Sequence, residues 1–166
     1  MTPEFSQIAS WLKTDAERLR LIIDSAKDYA ILTADDDGII TSWNTGAERI
    51  LGFSEEEAVG QHLRIFFSAE DKAAGRPEHE MEKARREGRA EDSRWHARKD
   101  GSLFWASGEM HPLHDDAGRH TGYVKILRDR TEERWAGEER ENLRRSLEAE
   151  QAIFKAVVER LPSGLV

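Results

Sequence analysis

The hydrophobic period of this chain changes once, at Lys125-Ile126-Leu127-Arg128-Asp129-Arg130-Thr131, and that change decides its architecture. Upstream, short apolar runs separated by tight turns read as strands. Downstream, apolar residues recur every three to four positions in a charged segment, which reads as one long helix. Asp129 and Thr131 sit at the switch. A change in the sheet has to cross this junction to reach the helix.

Three turn signals divide the upstream part. Asp35-Asp36-Asp37-Gly38 separates strands at 29–33 and 39–44, and an Asp-Gly pair between apolar runs is a strong hairpin signal. Lys99-Asp100-Gly101 and Asp115-Asp116-Ala117-Gly118 separate strands at 89–98, 102–113 and 120–127. A hairpin, a helical crossing and a three-strand meander predict an α+β fold with an antiparallel sheet and helices on one face.

The helices carry their own start signals. Residues 6–12 suggest a short helix. Thr14-Asp15-Ala16-Glu17 is a capping box opening a helix with Leu19, Ile22, Ile23 and Ala26 on one face. Thr45-Gly46-Ala47-Glu48 is another, with Asn44 a competing cap and Gly52 the stop; Ser54-Glu55-Glu56-Glu57 is a third. Leu63, Ile65, Phe66 and Phe67 are expected to bury. Residues 68–88 read as helix interrupted near Gly75-Arg76-Pro77, and the charged stretch 78–87 around Met81 and Ala84 reads as a surface helix.

The long final helix places Ala136, Leu143, Leu147, Phe154, Val157 and Leu161 in one seam, with Arg140 and Glu150 as its polar members. It would extend about 45 Å. Gly137 is a candidate bend and Pro162 a stop. The seam suits a homodimer, supported by the N-terminal helix around Trp11, Leu12 and Leu19. A repeat links Ile22-Ile23-Asp24-Ser25-Ala26 to Val157-Val158-Glu159-Arg160-Leu161 and predicts that a second, similar domain begins at the end of the chain. The expected division is a helical flank at 1–26, a domain of sheet and short helices at 27–131, a linker helix at 132–161 and the start of a second domain at 162–166.

Bulk properties exclude several functions. A net charge of −8 over 166 residues argues against nucleic acid as a partner. Without cysteine there is no disulfide, thiolate nucleophile or Cys-ligated metal. No apolar run approaches the ~20 residues of a membrane helix, and no signal peptide is visible, so no membrane association and a cytoplasmic location are expected. A Gly-rich phosphate loop, ATP-binding elements and a paired acid-base frame are all missing, so no enzymatic activity is expected of this stretch.

Gly38-Ile39-Ile40-Thr41-Ser42-Trp43-Asn44, then Ala47-Glu48-Arg49-Ile50-Leu51-Gly52-Phe53-Ser54, then Glu57 and Val59-Gly60, resembles the first half of a PAS sensor domain. Arg98-Lys99-Asp100-Gly101-Ser102, Asp116-Ala117-Gly118 and Arg128-Asp129-Arg130-Thr131-Glu132 resemble its second half. The resemblance implies a five-stranded antiparallel sheet cupping a small pocket beneath short helices, as in bacterial sensor histidine kinases. It implies a two-component sensory module that passes a ligand or interaction state to an output domain. A ligand-free dimerisation or spacer module is the alternative. Asp129 and Thr131 match the ends of the family's Asp-Ile-Thr junction motif, with Arg130 in place of the apolar middle residue.

The resemblance also frames the cofactor question. The flavin-cysteinyl adduct of light-sensing relatives is excluded by the absence of cysteine. Haem-binding relatives carry a His on the long helix, where His79 stands between Glu78 and Glu80; this polar setting favours a solvated histidine and disfavours haem. Trp43, Trp95 and Trp105 either line a small-molecule pocket or fill sheet faces. Arg94, His96 and Arg98 alternate with Ser93, Trp95 and Ala97: the first set facing inward would suit an anion, the second an apolar ligand. His111 and His114 point to opposite faces, and His62, His96 and His120 have no evident partners.

Overall fold

A computed structural model describes residues 14–160. Expectations for residues 6–12, for Trp11, Leu12, Leu161 and Pro162, and for a second domain at 162–166 lie outside the described residues.

Helix α1 (Asp15–Ser25) opens with the expected reciprocal cap: the Glu17 N–H donates to Thr14 Oγ1 at 3.2 Å and the Thr14 N–H to Glu17 Oε2 at 3.0 Å. Its apolar face is not buried. Leu19 and Ile22 are exposed, and Ile23 and Ala26 half-buried. Strands β1 (Ala30–Ala34) and β2 (Ile40–Trp43) form the hairpin; β3 (Ala90–Ala97), β4 (Leu103–His114) and β5 (His120–Asp129) form the meander. The sheet has the order β2-β1-β5-β4-β3 with every neighbouring pair antiparallel. The last strand in sequence is therefore the central one. It extends two residues beyond the predicted end, so Asp129 closes β5.

Between β2 and β3 run α2 (Thr45–Leu51), α3 (Glu55–Ala58), a 3₁₀ turn (Leu63–Phe66), α4 (Ala69–Ala73) and α5 (Arg76–Glu87). Their apolar residues meet the inner sheet face. Leu51, Leu63, Phe66, Phe67 and Ala84 are fully buried with Leu32, Phe104, Ala106, Met110 and Leu127. The helix read as a surface element is half-buried: Pro77, Glu80, Met81 and Ala84 face the core at positions i, i+3, i+4 and i+7.

Two compact units result, one ending at Arg130 and one beginning at Thr131. The second is helix α6 (Thr131–Arg160), unbroken through Gly137. Leu143, Leu147, Phe154 and Val157 are exposed along it, and Arg144 and Arg145 pair with Glu141.

Asn44 ties the first unit together. It, and not Thr45, caps α2: its Oδ1 accepts from Ala47 N–H at 2.8 Å and also from Ile31 N–H at 2.9 Å. Its amide donates to the carbonyls of Ile23 at 2.9 Å and Tyr29 at 3.1 Å. One buried side chain thus satisfies the end of α1, the start of β1 and the first turn of α2. Asn44→Ala is expected to cost about 2–4 kcal/mol, the sum of a lost cap and of buried groups left unpaired. Asn44→Asp keeps the acceptor and loses the amide donors, so its urea midpoint should fall between the two.

Candidate functional site

Alternation along β3 decides which set faces inward. Ala90, Asp92 and His96 are buried, and Arg94 points the same way; Glu91, Ser93 and Trp95 take the other face. On β5 the inward residues are Tyr123, Lys125 and Leu127. The inward set on β3 is the basic one, and it meets Lys125 of β5.

Lys125 has no exposed surface. Its ammonium donates to Glu80 Oε1 on α5 and to Asp92 Oδ2 on β3, and it lies 5.0 Å and 5.8 Å from the ring centres of Phe67 and Phe66. Gly108, opposite both Asp92 and Leu127 in the strand register, carries no side chain to separate the two elements. Asp92 also accepts from Arg94 Nε at 2.6 Å on Oδ1, and its Oδ2 lies 2.7 Å from His96 Nε2. The other nitrogen of His96 donates to the Phe66 carbonyl at 3.0 Å. Arg94 reaches on to Asp71 of α4 at 3.8 Å.

The two carboxylates experience this cluster differently. Burial works against ionising Asp92, but the charge of Lys125 and the bonds from His96 and Lys125 outweigh it and hold the carboxyl far below its usual range. Burial pushes the Glu80 carboxyl up; Lys125 opposes this only in part, and the negative charge of Asp92 adds to it.

A second ion pair stands where β5 ends. Arg98 Nη2 donates to Asp129 Oδ2 at 2.7 Å, Nη1 donates to the Ile50 carbonyl at the end of α2, and the guanidinium lies 4.4 Å from the centre of the Phe104 ring. The Lys99 N–H donates to the Leu51 carbonyl at 2.9 Å, and the Arg130 N–H donates to the Trp105 carbonyl at 2.8 Å. Asp129 is thus clasped to a helix end through one arginine. Arg130 continues the ladder through its backbone, and Thr131 opens α6.

The other candidates disperse. Trp43 is buried, its indole N–H on the Phe53 carbonyl at 2.9 Å and its ring 6.2 Å from Phe66. Trp95 and Trp105 do not line the interior: they pair on the outer sheet face, edge to face at 5.5 Å. His79 is exposed on α5, which removes it as an inward-facing axial ligand. His62 accepts from the Arg64 N–H at 3.1 Å and His120 pairs with Asp36, so the histidines without evident partners have them. Glu80, Asp92 and Lys125 were missed, although two signals were present. Glu80 lies on the Pro77-Met81-Ala84 stripe, and Lys125 stands between Tyr123 and Leu127 on one strand face.

Lys125→Met is expected to destabilise the chain by about 3–5 kcal/mol, because it leaves buried carboxylates without their cation. Adding Glu80→Gln should recover part of that loss. A double-mutant cycle from urea midpoints measures the coupling, and purely additive effects would show that the two groups do not interact.

A profile of the PAS domain matches residues 28–132. The chain is 41% identical over 120 residues to Two-component system protein A of Emericella nidulans, covering 72% of this chain and 17% of the relative. It is 37% identical over 70 residues to Sensor protein FixL of Bradyrhizobium diazoefficiens, covering 42% of this chain and 14% of that protein. It therefore spans less than a fifth of either relative. Among solved structures, the PAS domain of a Colwellia psychrerythraea protein superposes with a TM-score of 0.65 at 24% identity, over 72% of this chain and 99% of that one. The matched residues begin two positions before β1 and end just past the junction, enclosing the sheet, the buried network and the Arg98–Asp129 clasp. The chain belongs to the PAS domain family.

Proposed function

We propose that this chain is a non-catalytic sensory module of a multidomain signal-transduction protein of the two-component type. It relays the state of its interior through β5 and the Asp129–Thr131 junction into α6 and on to an output domain such as a histidine kinase. The names of the two curated relatives, a two-component system protein and a sensor protein, support this reading. The observation that carries it is the course of β5. The strand bears the buried Lys125, ends at the clasped Asp129 and passes through Arg130 alone into a 30-residue helix.

The test uses the intact receptor. Asp129→Ala, Arg98→Ala and Thr131→Ala should each alter output while the fold is retained. Losing the half-exposed ion pair costs about 1 kcal/mol or less. Asp129→Ala and Arg98→Ala should not add in their effect on output. Unchanged output with unchanged stability in all three would remove the junction from the mechanism.

A ligand-free dimerisation or spacer module is the second reading, favoured by how completely Phe66, Phe67, Phe104, Met110 and Lys125 fill the space over the inner sheet face. It relies on the exposed seam of α6. Sedimentation equilibrium should show a dimer that Leu147→Asp with Phe154→Asp converts to monomer; a monomeric parent chain would dismiss this reading.

A further inference from the structure

The exposed seam of α6 contains two charged residues, and their places along the helix discriminate between the ways a partner can lie on it. Seven-residue steps put Arg140, Leu147 and Phe154 in one row of the seam and Ala136, Leu143 and Glu150 in the other. Leu143, Leu147 and Phe154 are each more than half exposed. Arg140 and Glu150 are exposed too, and neither makes an ion pair among the described residues.

In a parallel pair each seam residue meets its own counterpart. Arg140 would then face Arg140 and Glu150 would face Glu150. Phe154 would crowd Phe154, and Ala136 would face Ala136 across a gap. In an antiparallel pair the two rows cross, and the two-fold axis makes each contact occur twice. Arg140 then meets Glu150 of the other copy, Leu143 meets Leu147, and Ala136 meets Phe154, small against large. This register is centred on Arg145. It therefore overlays nearly the whole described length of α6, which runs from Thr131 to Arg160.

What parallel pairing gains lies on the flanks of the seam, where Glu139 would approach Arg144 and Ile153 would approach Val158. Arg144 is already engaged in its own helix by Glu141 at 2.7 Å and Glu148 at 2.8 Å. Flanking ion pairs also stay in water and contribute little. The seam positions lose their water, so like charges there cost more than the flanks return, and that cost selects against the parallel arrangement.

We propose that α6 docks on the α6 of a second copy of this chain in antiparallel orientation, in the register that sets Arg140 against Glu150. This orientation rests on reading α6 as a dimer seam and states what the seam recognises, a reversed copy of itself. It brings the Thr131 end of each helix beside the Arg160 end of the other.

The chain contains no cysteine, so introduced thiols report without background. Ala136 and Phe154 lie about 27 Å apart along one helix at 1.5 Å per residue. Ala136→Cys mixed with Phe154→Cys, equilibrated and then oxidised, should give a mixed disulfide dimer, while neither variant alone should crosslink. Charge variants keep the test independent of losing Phe154. Arg140→Glu and Glu150→Arg should each weaken the dimer about tenfold in sedimentation equilibrium, and the two combined in one chain should restore it. In a parallel pair those changes only exchange one like-charge contact for another, so affinity would not follow that pattern. Cysteines that link only to their own kind, or a dimer indifferent to all three charge variants, would overturn the orientation and leave the dimer reading standing. A monomeric parent chain would overturn both.

Discussion

A lysine ammonium with no exposed surface must be paired, and much of this interior is arranged around that requirement. Lys125 draws Glu80 from α5 and Asp92 from β3. Asp92, itself buried, draws Arg94 and His96; Arg94 extends to Asp71, and His96 to the Phe66 carbonyl. One buried cation on the central strand thereby ties together two helices, a turn and an edge strand. Apolar residues replacing the whole cluster at once would be about as stable, since desolvation offsets much of what a buried ion pair gains. The network is better understood as making neighbouring elements depend on one another's charge.

The rim repeats the pattern. Arg98 joins the last residue of β5 to the last turn of α2, and the Phe104 ring shields one face of the guanidinium. The inward set Arg94, His96 and Arg98 would have suited an anionic ligand. Each instead meets a carboxylate of the chain, Asp92 for the first two and Asp129 for the third. An external anion entering this interior has to compete with those internal ones.

The sheet, its turns and the short helices were legible because their determinants are local. Thr14 with Glu17 and Ser54 with Glu57 form the caps their spacing announced. Asn44 replaced Thr45 as a cap because it also serves Ile31, Ile23 and Tyr29, partners 13 to 21 residues away that no local pattern contains. The buried network was illegible for the same reason. Lys125 finds Asp92 and Glu80 at separations of 33 and 45 residues. A run as charged as Glu78-His79-Glu80-Met81-Glu82 hides the one glutamate that faces the core. The tryptophans misled in the opposite direction: chemically alike, they divide between the two faces of the sheet, and only the register of β3 on β4 places Trp95 against Trp105.

The two ion pairs share a strand. Lys125 and Asp129 lie on the same side of β5, separated by Leu127, and four residues of strand span about 13 Å. β5 is bonded on both sides, to β1 and to β4, so slippage by one residue would turn its entire inner face outward. The strand therefore has no soft way to absorb a change at Lys125. A difference in charge around that lysine is passed along β5 toward Asp129, where the partly exposed Arg98 ties the strand end to α2.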